Sequence, residues 1–274
     1  MYPIGLSSCA ISFTEDCFQN LKACGVDAIE LSMSMEQLPK MNYKQILEWS
    51  KRYDIQLWSY HLPFAPFSFI DISSQKAELR DNAIKLYTEL IAQAADIGID
   101  KIVIHPSGEP IRQEEREDRM NYAMQSLDLL AEIAHKEGAV IAVEDLPRTC
   151  LGNTADNMLR LLSANDKLRV CFDTNHLLHD TNLNFMEKVG DQIVTLHVSD
   201  YNFIDEQHWL PGEGLVDWQE IYHTLKKIGY QGIWMYELGL QSTPKITRTR
   251  DLTFEDYVRN ANEIFKNQPL TRIF

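Results

Sequence analysis

Cysteine is scarce and unpatterned in this chain: Cys9, Cys17, Cys24, Cys150 and Cys171 are the five in 274 residues, and none form a CxxC pair. An odd, scattered set excludes a disulfide framework and a thiolate zinc ribbon, and it fits a reducing compartment in which most of these side chains are small buried residues. Long apolar runs are also missing, since no stretch approaches the roughly 18 residues that a membrane helix needs. The segment Met1-Tyr2-Pro3-Ile4-Gly5 is not a basic region followed by an apolar one, so a cytoplasmic protein without membrane attachment is predicted. Basic residues are in the minority, 26 Lys plus Arg against 40 Asp plus Glu, for a formal charge of −14. Such a surface repels phosphate backbones and makes nucleic acid a poor partner.

Two further absences bear on the fold. The first strand–helix turn carries neither GxGxxG nor GxxxxGK, the fingerprints of nucleotide-binding open α/β sheets. No Ser-, Pro- or Gly-rich linker divides the chain, so residues 1–274 are read as one domain. Apolar residues make up 45% and charged residues 24%, enough for a substantial core, and the length is close to that of one α/β barrel, about 250 residues.

Short β-branched or apolar runs recur at Ile4-Ser8, Ala28-Leu31, Gln56-Tyr60, Lys101-His105, Val140-Glu144, Arg169-Asp173, Ile193-His197 and Ile233-Glu237. Between them lie amphipathic segments such as Gln75-Ile97, Glu114-Glu137, Leu183-Val189 and Trp218-Ile228. Gly25, Gly98, Gly138 and Gly229 each stand just before a strand, where a left-handed helix C-cap suits a residue without a Cβ. Eight strand–helix units in a row predict a single (β/α)8 TIM barrel, ahead of an open doubly wound sheet.

In such a barrel, chemistry sits at the C-terminal strand ends. Five of the eight histidines, His61, His105, His176, His197 and His208, fall at or just after those ends, beside Glu144, Asp173 and Glu237. Imidazoles converging with carboxylates suit one catalytic divalent ion, Mn2+, Zn2+, Co2+ or Mg2+. Taken alone, a strand-end histidine is more often a hydrogen-bonded structural residue, and Asp173 has the plain alternative of capping the next helix. Glutamate is a poor N-cap, so neither Glu144 nor Glu237 has that alternative. His135, His179 and His223 are assigned to solvated faces. The aromatic residues Tyr60, Phe64, Phe67, Phe69, Trp209 and Tyr236 lie near the mouth, either as a stacking wall for a sugar or as core and dimer packing.

Glu144, Asp173, His197 and Glu237 at consecutive strand ends, with Asp173-Thr174-Asn175-His176, Glu144-Asp145-Leu146-Pro147 and His208-Trp209-Leu210-Pro211-Gly212-Glu213-Gly214, resemble the xylose-isomerase-like TIM barrel superfamily. Within it, the pattern looks like the sugar phosphate isomerase/epimerase group, from about Tyr2 to Phe265. The resemblance implies a metal-dependent isomerase or epimerase of a small carbohydrate, with Glu144, Asp173, His197 and Glu237 on the ion and Glu144 and Glu237 as the acid/base pair. It also implies a substrate-hydroxyl contact from His176, which His61 could share; His105 and His208 are further substrate-binding candidates, and Arg148, after Glu144-Asp145-Leu146-Pro147, is either a cation for the substrate or a solvated surface arginine. Ketose epimerases of the superfamily usually place an arginine six residues after the seventh-strand histidine, where this chain has Phe203.

Other readings share these residues. A sugar or polyol lyase would use the same metal and base. The apurinic-site endonuclease (family 2) of the same superfamily binds three zinc ions, and His61, His105, Glu144, Asp173, His176, His197, His208 and Glu237 stand at matching positions, with Glu206 in place of Asp. The charge of −14 and the absence of Lys/Arg clusters at the strand ends weigh against DNA. A non-catalytic binding barrel would not need the four-ligand set. The expected partner is thus a small carbohydrate, without nucleic acid or membrane, and a homo-oligomer stays open.

Overall fold

The computed structural model describes residues 1–242 and 245–273. The strands are β1 (Ile4–Ser7), β2 (Ala28–Ser32), β3 (Gln56–His61), β4 (Lys101–Ile104), β5 (Val140–Glu144), β6 (Arg169–Asp173), β7 (Ile193–His197) and β8 (Trp234–Tyr236). The α-helices are α1 (Glu15–Cys24), α2 (Tyr43–Tyr53), α3 (Ala77–Asp96), α4 (Arg116–Lys136), α5 (Ala155–Leu162), α6 (Asn182–Val189), α7 (Trp218–Lys227) and α8 (Phe254–Phe265). The strands pair in the order β7-β6-β5-β4-β3-β2-β1-β8. Just past β7, Val198 N–H donates to Met235 O at 2.8 Å and Glu237 N–H to Val198 O at 3.2 Å, which brings the two edges together. The expected (β/α)8 TIM barrel is therefore present, and the open-sheet alternative is excluded.

Local chemistry explains the element boundaries. The side chains of Thr14, Asn42, Thr154, Thr181 and Asp217 each accept a hydrogen bond from a first-turn backbone N–H, satisfying donors that a helix start leaves orphaned. The four glycines read as C-caps all have positive φ. Strand pleating then divides the apolar residues. Ile141 and Val143 of β5 face the helical layer, where the main core lies, while Ala142 packs inside the barrel with Val103 and Cys171. Glu144, two residues after Ala142, therefore also faces inward. The same parity in β8 puts Met235 inside with Ala28 and Ile233, and Tyr236 in the outer layer.

All five cysteines are free thiols, but only Cys150 and Cys171 are buried. Cys9 is exposed, and Cys17 and Cys24 are half-buried because they flank the inward stripe of α1, which Phe18 and Leu21 supply. The expectation of mostly buried cysteines is thus corrected. His135, His179 and His223 are exposed, as expected. No helix among the described residues is long and apolar enough to cross a membrane.

Candidate metal centre

Glu144, Asp173 and His197 end β5, β6 and β7, and His105 and Glu237 lie one residue past β4 and β8. Inward parity and adjacent strands bring four of them together: Glu144, Asp173, His197 and Glu237 each offer one ligand atom, all within 4.8 Å of one another. His197 is the hub. Its Nδ1 stands 2.9 Å from Glu144 Oε1, 3.3 Å from Glu237 Oε2 and 3.9 Å from Asp173 Oδ2.

Asp173 does not cap a helix, since α6 begins at Asn182 and is capped by Thr181. Its Oδ1 accepts from the Asn175 backbone N–H at 2.7 Å, while its Oδ2, fully buried, has no hydrogen-bond partner among the described residues. A buried carboxylate oxygen left without a donor costs on the order of 1–3 kcal/mol, more when charged. Asp173 shares this space with two further carboxylates, Glu144 and Glu237, and the His197 imidazole, and a cation is the partner that balances the set. Carboxylate and imidazole donors without thiolate suit a hard or borderline divalent ion, so the residues fit the group that the resemblance implies.

The remaining histidines surround this centre with their tautomers set. The Nδ1 atoms of His61, His176 and His208 lie 2.8, 2.8 and 3.0 Å from the backbone carbonyls of Leu62, Asp145 and Glu237. A carbonyl only accepts, so each Nδ1 carries a proton and each Nε2 is left for another partner. The Nε2 atoms of His61 and His105 both stand 3.1 Å from Glu144 Oε2, and His176 Nε2 is 3.6 Å from Glu206 Oε2. Two further groups that do not share His197 could therefore hold a cation: His61, His105 and Glu144, and His176, Glu206 and His208.

Charge is unevenly placed. Burial, followed by the negative charge of Glu144 and Asp173, overcomes the pull of His197 and raises Glu237 to about 8. Burial also acts to raise Glu144, yet the field of His197 and His105 and their hydrogen bonds hold it well below the usual carboxylate range. Burial works to lower the imidazoles, but Glu144 brings His61 up to about 9, and Asp173 and Glu144 do the same for His176. At His105, burial prevails and the value falls.

A cavity of about 180 Å³ opens above these groups, lined by His61, Phe64, Phe67, His105, Glu109, Glu144, Arg148, His176, Glu206, His208 and Glu237 among others. Phe64 stacks on His105 with ring centroids 4.3 Å apart. Of the six aromatics, only Phe64 and Phe67 line the cavity. Tyr60 and Tyr236 point into the outer core because their neighbours His61 and Glu237 take the inward positions, and their hydroxyls bond Tyr43 and Asn260. Phe69 lies in a neighbouring surface groove. Trp209 instead pairs its backbone with Asp200, which also accepts from Gly212 N–H and Trp218 Nε1 and so fastens the loop that carries His208. Gly214 permits this, because an added Cβ would lie 2.3 Å from Asp200 Oδ1.

Arg148 does reach the cavity, but its guanidinium is held by Glu109 at 2.5 and 2.9 Å and by Asp205 at 2.8 Å, with Glu206 at 3.4 Å. Phe203, in the usual arginine position, is exposed and packs against Tyr201 at 4.5 Å between centroids. One inward carboxylate was not singled out from the sequence. Glu30 of β2 is fully buried, with both oxygens 3.1 Å from His197 Nε2. Its signal was present as a charged residue inside the apolar run Ala28-Ile29-Glu30-Leu31.

Fold and site together define a (β/α)8 barrel with a carboxylate–imidazole centre at its mouth. The profile of the xylose isomerase-like TIM barrel matches residues 18–253, and the chain belongs to that family. A solved structure described as a D-tagatose 3-epimerase-like protein superposes with a TM-score of 0.79 at 25% identity, covering 97% of this chain and 96% of that one. A D-psicose 3-epimerase from Enterocloster bolteae is 24% identical over 231 residues, 79% of this chain and 74% of its own. A probable endonuclease 4 from Finegoldia magna is 23% identical over 253 residues, 84% of each chain.

Proposed function

We propose that the protein is a metal-dependent isomerase or epimerase of a small carbohydrate, working by proton transfer at a carbon beside a carbonyl. The observation that carries this reading is the convergence of Glu144, Asp173, His197 and Glu237 around an unpartnered Asp173 oxygen. Those four residues would hold one divalent ion, which when bound polarises a carbonyl and acidifies the adjacent C–H. Glu144 at the end of β5 and Glu237 just past β8 reach the centre from strands separated by β6 and β7, so a sugar carbon between them presents one face to each carboxylate. One carboxylate removes the proton and, in an epimerase, the other returns it on the opposite face.

The other cavity residues bind and orient. His61, His105, His176 and His208 face substrate hydroxyls with nitrogen donors or acceptors, and Phe64 and Phe67 exclude water from one wall. Arg148 donates to hydroxyls rather than clamping an anion, since Glu109, Asp205 and Glu206 already match its charge. A named epimerase and an epimerase-like structure among the similar proteins support the same reading. The test is hydrogen–deuterium exchange: metal-loaded protein in D2O is expected to exchange the α-proton of at least one sugar in a panel of ketoses, aldoses and keto-sugars, and Glu237→Gln to abolish it. If no sugar exchanges, the isomerase reading and the related lyase reading both fall.

A second reading, trinuclear-zinc cleavage at abasic sites, is favoured by the two additional groups, His61–His105–Glu144 and His176–Glu206–His208. The charge of −14 and the matched Arg148 count against a DNA ligand. Three zinc ions per chain together with cleavage of an abasic duplex would establish it; one ion without cleavage would remove it.

A further inference from the structure

His197 has two ring nitrogens, and the candidate centre uses one. Nδ1 faces Glu144, Glu237 and Asp173, whereas Nε2 lies 3.1 Å from both oxygens of Glu30, reached across the barrel interior from β2. Glu30 is fully buried and its Oε2 also accepts from Ser59 Oγ of β3 at 2.8 Å, itself fully buried. The two nitrogens of an imidazole point apart, so the Glu30 oxygens sit across the ring from the four-residue cluster and belong to none of the cation-holding groups. A buried carboxylate is retained only when paired, and among the described residues this one has just two hydrogen-bond partners, one of them the hub of the centre.

We propose that Glu30 is a positioning residue: it accepts a hydrogen bond from the Nε2–H of His197, fixes the ring's rotation and tautomer, and so leaves Nδ1 to face the cation position that Glu144, Asp173 and Glu237 surround. Ser59 sets the orientation of Glu30 in turn. The inference rests on the reading of those four residues as a divalent-cation site. Carboxylates in this relation to a ligating histidine raise its basicity as well as aim it, and their loss typically costs 10- to 100-fold in metal affinity.

The experiment is a competition titration of metal-free protein with Zn2+ against a chromophoric chelator, with no substrate present. Glu30→Gln keeps a hydrogen-bond acceptor but loses the charge and is expected to weaken Zn2+ about 10-fold; Glu30→Leu, with no acceptor, about 100-fold. Ser59→Ala is expected to weaken it a few-fold and keeps the test decisive if Glu30→Leu does not fold. Long-range 1H–15N spectra of the zinc-loaded proteins separate positioning from mere stabilisation. Wild type should show a protected His197 Nε2–H, which Glu30→Leu loses and Glu30→Gln retains. Unchanged zinc affinity in Glu30→Gln and Ser59→Ala, or an unchanged His197 spectrum in Glu30→Leu, overturns the role of Glu30 alone. Failure of wild type to bind Zn2+ overturns the cation site and this inference together.

Discussion

Arg148 and Glu109 meet at the cavity wall in a two-pronged ion pair, with Nε 2.9 Å and Nη2 2.5 Å from the two carboxylate oxygens. Arg148 is the only Lys or Arg among the described lining residues, and Asp205 and Glu206 share it. The wild-type mouth is therefore expected to bind inorganic phosphate weakly. Glu109→Gln, which frees one face of the guanidinium, should tighten phosphate about tenfold, equal to ~1.4 kcal/mol. Isothermal titration with phosphate checks this, and equal affinity in the two proteins would show that Arg148 does not govern anion binding.

Removing a ligand should remove metal. Glu237→Gln and His197→Ala, purified without chelator, are each expected to lose most of the divalent metal that the wild type carries. Elemental analysis per mole of chain is the measurement, and wild-type content in both variants would sink the site assignment.

The metal-free protein should weaken as pH rises. Burial and neighbouring carboxylates raise Glu237 to about 8 from an ordinary 4.5, so the folded state holds that proton more tightly than the unfolded chain. Its contribution is complete below about pH 4.5 and is lost as pH climbs to about 8. His61 and His176, lifted by Glu144 and Asp173 against the effect of burial to about 9 from 6.5, act in the same sense between those values. The melting temperature of chelator-treated protein should fall by roughly 5 °C from pH 5.5 to 9, and a divalent ion should flatten that slope by replacing the protons. A melting temperature that stays level or climbs over this range contradicts the charge assignment.

Arg119 of α4 and Asp71, in the loop after β3, form a buried ion pair at 2.5 Å. Arg119 also donates to Ser73 Oγ and to the Gly108 carbonyl, tying together the two loops that carry Phe67 and His105. Arg119→Met strands Asp71 without its partner and should destabilise the protein by about 3–5 kcal/mol. Urea unfolding is the measurement. A loss under 1 kcal/mol would mean that the donors already on Asp71 Oδ1, from Ser73 and the Gly108 N–H, suffice for the carboxylate without its counter-ion.

The barrel was legible because its signals are local. Thr14 and Thr154 start helices, Gly25 and Gly98 end them, and strands of three to six residues lie between. Much of the mouth was legible as well, since strand-final Glu144, Asp173 and His197 gain their position from being last on an inward-facing register. Residues whose meaning depends on a distant partner were not. Glu30 looks like an interruption in an apolar strand until His197, 167 residues away, is found against it. Arg148 reads as a free cation until Glu109 and Asp205 close on it, and Tyr60 reads equally as a wall or a core residue until the pleat turns it outward.

The order of elements, their caps, the inward parity of the strand ends and the acidic charge are properties of the sequence alone, because each depends on residues a few positions apart or on a sum over the chain. Tertiary structure decided which charges are matched, which imidazole nitrogen faces which carboxylate, and that Asp173 keeps one oxygen without a partner. Those outcomes depend on side chains that meet only when the ring of strands closes, and in a buried, low-dielectric mouth the meeting sets both their protonation and their chemistry.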